Sequence, residues 1–172
     1  NIKKTNFILF HARQKRITDE ISIKIDGIPI EQTNKTKFLG VILNENLCWN
    51  DHIQLISNKI SKNIGVIKKI RSNLSRQSLI MLYYSLINPY LDYCNVIWAC
   101  QKNIHTKNLF KPQKKAIRVV TSSRWNSHTA PLFKKFHILN LYDINIVQTG
   151  CFVYKSLHGM LPSLFNNYFN YY

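Results

Sequence analysis

Carboxylates are scarce in this sequence of 172 residues, and no region concentrates them. Phosphoryl transfer on two metal ions needs two or three clustered carboxylates, whereas the eight Asp and Glu residues are widely spaced. Asp19 and Glu20 form the only adjacent pair, and neighbouring residues on a strand point to opposite faces. We therefore expect this chain to hold no metal ion and no cofactor by itself.

Other sequence patterns of catalytic sites are also absent. The sequence contains no GxxxxGK[ST] phosphate loop, no GxSxG nucleophile turn and no HExxH pair. The six histidines are separated from one another, and solvated or core positions are the usual ones for isolated histidines. An independent active site is therefore not visible in the sequence.

Basic residues, in contrast, are abundant. Lys and Arg number 24, which gives a formal net charge of +16 at pH 7 and a pI near 9.9. This charge favours a polyanionic partner, because each cation placed at a phosphate releases condensed counterions. We expect nucleic acid rather than a membrane surface, and a merely solvated basic surface is the alternative.

The cations recur at helical spacing and alternate with aromatic residues. No acidic residue lies between Asp92 and Asp143. Trp125 beside Arg124 is the least core-like aromatic residue because it lies in a polar loop, where it could stack on a base. The side chains predicted on these grounds to contact nucleic acid are Lys59, Lys62, Lys69, Arg71, Lys107, Lys111, Lys114, Lys115, Arg118, Arg124 and Trp125.

The first third of the chain is predicted to form strands. Residues 21–25 alternate apolar and polar side chains with period two, which predicts a strand with one buried face. Asp26 and Gly27 then predict a tight hairpin turn. Residues 37–43 are predicted to form one further strand, in which Gly40 indicates a bulge or a close approach of another backbone.

From Asn50 onward the apolar period becomes helical. Isoleucines at positions 53, 56, 60, 64, 67 and 70 form one stripe of a long helix. Ser75 is predicted to cap a second helix, Asn88-Pro89 to interrupt it, and residues 91–98 to continue as a third, mostly buried segment. Residues 141–157 are predicted to form a last amphipathic helix that stops near Gly159.

These patterns predict an α+β fold, with a short N-terminal antiparallel β region followed by a mainly α-helical bundle. The predicted parts are a β region in residues 1–48, a first helix in 49–75 and a helical extension in 76–172. The four cysteines lack CxxC spacing and are expected to be reduced thiols. No secretory signal is recognisable at the start. We therefore expect an intracellular protein, nuclear or cytoplasmic, without a membrane partner.

Several short strings occur in a distinctive order along the chain. They are Asn1-x-x-Lys4-Thr5, Phe7-x-x-Phe10, Lys37-Phe38-Leu39-Gly40-Val41, Leu47-x-Trp49-x-x-His52-Ile53, Leu82-Tyr83-x-x-Leu86-Ile87-x-Pro89-x-Leu91-x-Tyr93-Cys94-x-x-x-Trp98, Gln113-Lys114-x-Ala116-Ile117-Arg118, Ile138-Leu139-x-Leu141-x-Asp143-Ile144 and Gly159-x-x-Pro162. Together they resemble the end of the reverse transcriptase domain of non-LTR (LINE-type) retrotransposons, especially jockey- and CR1-like elements.

The resemblance implies roles for particular positions. Residues 1–10 look like the last palm motif, and Lys4 matches a lysine proposed to protonate the leaving pyrophosphate. Lys37 and Gly40 lie in a segment that looks like the primer-grip hairpin. The helices from Asn50 onward look like the thumb, which contacts the template–primer backbone, and the later helices look like a C-terminal extension. The intact family enzyme would use magnesium.

Three hypotheses follow. The family's catalytic Tyr-x-Asp-Asp motif occurs nowhere in the sequence. The first hypothesis is therefore that the chain is part of an RNA-directed DNA polymerase, binds an RNA–DNA template–primer and is inactive as an isolated chain. The second is a basic helical module that binds nucleic acid or protein without a polymerase role. The third is an enzyme in its own right, with Lys4 as the acid and Asp19 and Glu20 on a metal ion.

Overall fold

The computed structural model describes residues 5–15, 21–99, 104–165 and 168–169, and only the backbone of residues 104 and 105. The chain divides into two compact units, Asn1–Ile53 and Gln54–Tyr172. The described strands lie in the first unit and most of the helical residues in the second, which confirms the predicted α+β fold class. The three-part division of the chain stays a prediction.

The first unit begins with two short strand pairs, one of which is the predicted tight hairpin. Strand β1 (Asn6–Phe7) pairs in parallel with β4 (Glu31–Gln32). Strands β2 (Lys24–Ile25) and β3 (Ile28–Pro29) are antiparallel, and the residues between them, Asp26 and Gly27, have φ values of 49° and 77°. Positive φ at both central residues is the geometry of a two-residue hairpin turn, so the predicted turn is confirmed.

The predicted buried face of residues 21–25 is wrong. Ile21, Ile23 and Ile25 remain 39%, 41% and 40% exposed. The hairpin has only two residues in each strand, so it presents no extended face for packing. Period-two alternation therefore identified only the last two residues of the predicted strand, Lys24 and Ile25, and no core.

The single strand predicted for residues 37–43 is also wrong. Strands β5 (Lys35–Phe38) and β6 (Val41–Asn44) form an antiparallel pair, with Phe38 opposite Val41. Leu39 and Gly40 form the turn between them, with φ values of 43° and 88°. Gly40 is thus explained by the turn, because glycine adopts positive φ without a steric penalty. The segment is a hairpin, as the family resemblance implied.

Helix α1 (Asn50–Ile70) carries the predicted isoleucine stripe. The five isoleucines from position 53 to position 67 are at most 4% exposed, whereas Ile70 at the end of the helix is 38% exposed and does not belong to the core. His52 is buried in the first turn, where its Nδ1 accepts a 3.3 Å hydrogen bond from the Ile42 amide of β6.

Three short helices follow in the second unit. They are α2 (Arg76–Leu86), α3 (Asn88–Asp92) and α4 (Asn95–Trp98). Ser75 caps α2 by accepting a hydrogen bond from the Ser78 amide, and a new helix begins at Asn88-Pro89, as predicted. The single segment predicted for residues 91–98 is wrong, because Cys94 adopts a left-handed conformation that separates α3 from α4.

The remaining helices are α5 (Ile104–Val120), α6 (Ala130–Lys135) and α7 (Leu141–Leu157). Helix α7 has the predicted bounds, and Gly159 with φ of 65° follows its end. Its predicted amphipathic character is only partly right, because Ile146, Val147 and Tyr154 are 67%, 49% and 55% exposed. No helix within the described ranges is long and apolar enough to cross a membrane.

A buried glutamine joins three of these helices. Gln113 of α5 is fully buried, and its Nε2 donates to Tyr83 Oη of α2 at 2.9 Å and to the Leu139 carbonyl at 3.1 Å. Its Oε1 accepts a 2.8 Å hydrogen bond from the Leu141 amide at the start of α7. Because buried polar groups are stable only when they are hydrogen-bonded, this network fixes the orientation of α5.

Candidate nucleic-acid interface

The positive charge is concentrated in the second unit. Residues 54–172 contain sixteen of the 24 Lys and Arg residues but only two of the eight acidic residues, Asp92 and Asp143. This unit therefore carries a formal charge of +14 out of the total of +16. A positive field of this size attracts polyanions and speeds their association.

Part of this charge surrounds one cavity, which we call the basic groove. Its volume is about 550 Å³, within the size range of ligand-binding clefts. Its lining residues are Lys68, Arg71, Lys115, Arg118, Val119, Ser123, Arg124 and Trp125. Five of the eight are cations and none is acidic, so the groove is suited to an anionic ligand.

Two segments that are distant in sequence supply these cations. Lys68 lies in the last turn of α1, and Arg71 begins the 3-10 helix Arg71–Asn73 that follows it. Lys115 and Arg118 are three residues apart on α5 and therefore lie on the same side of that helix. Arg124 lies in the loop after α5. The groove thus depends on the tertiary fold rather than on one basic stretch.

The loop after α5 is held by hydrogen bonds. Ser122 has a φ of 54°, and the next amide, Ser123 N–H, donates back to the Arg118 carbonyl at 2.9 Å. The Ser127 amide donates to the Arg124 carbonyl at 3.1 Å, which closes a turn around Trp125. Arg118 Nε donates to the Ser127 carbonyl at 2.8 Å and ties this turn to α5.

Trp125 is 86% exposed, more than any other large apolar side chain among the described residues. The cation–ring contacts found in the described ranges involve Tyr90, Phe136 and Phe110 rather than Trp125. An indole held on an ordered turn beside several cations has the composition of a site that binds phosphates and stacks on bases.

The cations of the groove lack carboxylate partners within the described part of the chain. The ion pairs found there join His11 to Glu45 and Lys35 to Asp51, all in the first unit. In the second unit, Asp92 accepts a 2.6 Å hydrogen bond from Gln148, and Asp143 accepts one from Asn140. No carboxylate in the described part of the chain therefore forms an ion pair with a cation of the groove.

The chain is similar in sequence to known polymerases of mobile elements. The chain is 24% identical over 147 residues, 83% of its length, to a probable RNA-directed DNA polymerase from transposon X-element of Drosophila melanogaster. It is 24% identical over 116 residues, 66% of its length, to the RNA-directed DNA polymerase from mobile element jockey of Drosophila funebris. These two matches support the resemblance to the reverse transcriptases of non-LTR retrotransposons.

The matched regions cover 16% of the X-element polymerase and 13% of the jockey polymerase. The chain therefore spans only a small part of the length of the curated relatives it matches. No family model and no solved structure matches the chain.

Five of the residues predicted from sequence meet in the basic groove. They are Arg71, Lys115, Arg118, Arg124 and Trp125. Lys68 was missed by the prediction, although its helical spacing of three from Arg71 was a usable signal. Lys69, which was predicted instead, is exposed and does not line the groove.

Other predicted residues lie elsewhere on the second unit. Lys59 Nζ lies 5.2 Å from the centre of the Tyr90 ring, and Lys62 is exposed on α1. Lys107 and Lys111 are exposed on the earlier turns of α5. Lys114 Nζ lies 4.4 Å from the centre of the Phe110 ring.

Lys114 lines a second cavity, of about 700 Å³. Phe110, Phe133 and Ile138 contribute to its largely apolar wall, and Asp143 also lines it. This cavity is larger than the basic groove, but it has two cations, Lys114 and Lys134, where the groove has five, and it combines them with an acid and an apolar wall. It is therefore less suited to a polyanion.

The positions assigned by the family resemblance lie in the first unit. Lys37 is exposed on β5, and Gly40 lies in the following turn, beside Phe38 and Leu39, which are 60% and 74% exposed. Lys4 lies outside the described residues.

The magnesium that the family resemblance implies has no matching set of ligands in the part of the chain that the structure describes. Within the described ranges, no three His, Cys, Asp or Glu side chains are grouped so that they could hold a metal ion. Asp19 and Glu20 lie outside those ranges.

Proposed function

We propose that this chain binds the nucleic-acid backbone of an RNA–DNA template–primer through the basic groove, as part of a non-LTR reverse transcriptase. The observation that supports the proposal is the grouping of Lys68, Arg71, Lys115, Arg118 and Arg124 around one cavity without carboxylate partners among the described residues. Each phosphate that enters releases counterions, which favours binding at low salt concentration.

In this proposal the chain holds nucleic acid and does not polymerise by itself. The two relatives are named as RNA-directed DNA polymerases, but the chain contains no Tyr-x-Asp-Asp motif. Lys4 could act as a general acid only beside a nucleotide site completed by other residues. Primer extension by the purified chain in the presence of magnesium would contradict this part of the proposal and favour the third hypothesis.

The β5–β6 hairpin is proposed to contact the primer. Phe38 and Leu39 are exposed at its tip, and Lys37 beside them is also exposed. A cation next to apolar side chains can contact a phosphate and a sugar together. The proposed site of action of the whole protein is intracellular, nuclear or cytoplasmic.

The test compares adjacent lysines of the same helix. Lys68 lines the basic groove and Lys69 does not. K68Q and K69Q remove the same charge at neighbouring positions, so a difference between them reports on the groove alone. Binding of an RNA–DNA hybrid is measured across a salt series by gel shift. The slope of log affinity against log salt should decrease by about 0.7–0.9 for each lost phosphate contact.

We expect the K68Q/R71Q double variant to lose about twice that slope and K69Q to retain the slope of the unmodified chain. Equal losses in K68Q and K69Q would show that total charge, rather than the groove, determines binding. Affinity that does not change with salt concentration would contradict nucleic-acid binding altogether.

A second candidate function is a basic helical module that binds a protein partner. The exposed apolar side chains Ile146, Val147 and Tyr154 on α7 favour it, because exposed apolar patches often mark protein interfaces. This function predicts that the chain associates with a protein independently of salt concentration and does not bind an RNA–DNA hybrid. The same salt series would reveal both outcomes.

A further inference from the structure

We propose that Trp125 stacks on an unpaired base, so that the basic groove selects single-stranded nucleic acid or a frayed strand end over a blunt duplex. This inference rests on the proposed function, because it requires a polynucleotide in the groove. It specifies which class of nucleic acid the groove prefers.

The position of the indole is the first argument. Trp125 is 86% exposed, although burying an aromatic side chain stabilises a fold more than almost any other burial. Its turn is closed by the Ser127-to-Arg124 hydrogen bond and tied to α5 by Arg118. An ordered, exposed indole loses little conformational entropy when a flat ligand stacks on it.

The surroundings of the indole are the second argument. Trp125 lines the same cavity as Arg124, Arg118 and Lys115. A base that stacks on the indole therefore has its own phosphate, and those of its neighbours, within a cationic cavity. Every base has a π-face, so this arrangement binds without strong sequence preference.

Base pairing then discriminates between ligands. In the interior of a duplex, each base is stacked between its neighbours, and its face is unavailable to the protein unless the base is unstacked, which is unfavourable. An unpaired base exposes its face without this cost, as in the loops and ends that aromatic side chains recognise in RNA. The phosphates alone would attract either form.

The experiment uses the full chain with three probes of equal length: a single strand of thymidines, the same strand with abasic sites throughout, and a blunt duplex. Dissociation constants are measured for the unmodified chain, W125A and W125F. Because Trp125 is exposed, W125A leaves the core unchanged, and W125F retains an aromatic face as a second variant.

We expect W125A to weaken binding of the thymidine strand by about 5- to 100-fold and W125F to weaken it less. Binding of the abasic strand and the duplex should change by less than about twofold in both variants. Equal weakening for all three probes, or no weakening for any, would overturn the stacking proposal.

Failure of stacking and failure of the proposed function give different results. If K68Q/R71Q lowers the salt slope while W125A binds all three probes like the unmodified chain, phosphate binding stands and stacking is rejected. If none of the probes binds at low salt concentration, the proposed function is rejected, and stacking with it.

Discussion

Arg118 Nε donates a 2.8 Å hydrogen bond to the carbonyl oxygen of Ser127, which lies nine residues further along the chain. The same side chain lines the basic groove. Arg118 therefore combines two tasks, since it contributes a positive charge and also holds the turn that presents Trp125.

Exchange of Arg118 for lysine should separate these tasks. R118K keeps the charge but loses the planar guanidinium and its Nε donor. We expect the salt slope of nucleic-acid binding to be retained, while the amides of Ser123 and Ser127 exchange faster with solvent, because a hydrogen bond to a charged group contributes about 1.5–3 kcal/mol. Hydrogen exchange measured by NMR tests this. Unchanged exchange in R118K would show that the turn is held by other contacts.

The isoleucine stripe of α1 should dominate the stability of the second unit. Ile67 is fully buried, whereas the preceding Val66 is 51% exposed. We expect I67A to lower the free energy of unfolding by about 2–5 kcal/mol and V66A to change it by no more than about 0.5 kcal/mol. Urea denaturation measures both. Similar values for the two variants would contradict the assignment of the buried face.

Stability should fall at alkaline pH because of Tyr83. Burial raises the pKa of its phenol well above the ordinary value of 10.0, and the hydrogen bond from Gln113 only partly opposes this. Above pH 10 the unfolded chain therefore loses a proton that the folded chain keeps, so stability decreases as pH rises. The expected slope is about 1.4 kcal/mol per pH unit.

The matched variant is Y83F, which retains the ring without the ionisable hydroxyl. Its free energy of unfolding should decline less steeply between pH 10 and 11 than that of the unmodified chain, and the two should be parallel between pH 7 and 9. Parallel curves over the whole range would mean that Tyr83 titrates normally in the folded state.

The turn of the β5–β6 hairpin should be improved by asparagine at position 39. Leu39 has a φ of 43°, a conformation that costs L-residues about 1–2 kcal/mol, whereas Asn-Gly is preferred in such turns. We expect L39N to stabilise the hairpin by about 0.5–1 kcal/mol, measured as slower amide exchange at Val41. F38N, on the neighbouring strand residue, serves as the control and should not stabilise it.

Elements with strong local signals could be predicted from the sequence. The isoleucine stripe of α1, the Ser75 cap, the break at Asn88-Pro89 and the bounds of α7 follow from periodicity and from the hydrogen-bonding or steric properties of single residues. The positive φ of Leu39 did not follow, because leucine is disfavoured in that conformation. This is why a continuous strand was predicted in place of the hairpin.

The basic groove was only partly predictable for a different reason. Arg118, Arg124 and Trp125 could be identified from their neighbours in sequence. The choice between Lys68 and Lys69 depends on which side of α1 shares a cavity with α5, and that is a property of packing. The separate location of Lys114, above the Phe110 ring, depends on tertiary structure in the same way.

Because the groove takes Lys68 and Arg71 from one segment and Lys115 to Trp125 from another, it exists only while the second unit is folded. Short synthetic peptides tiled along the sequence would each retain a fair share of the positive charge, yet none would contain both walls of the cavity. Heating through the unfolding transition should likewise remove the cavity, so that any preference among polyanions which the groove confers is lost while attraction by the net charge remains.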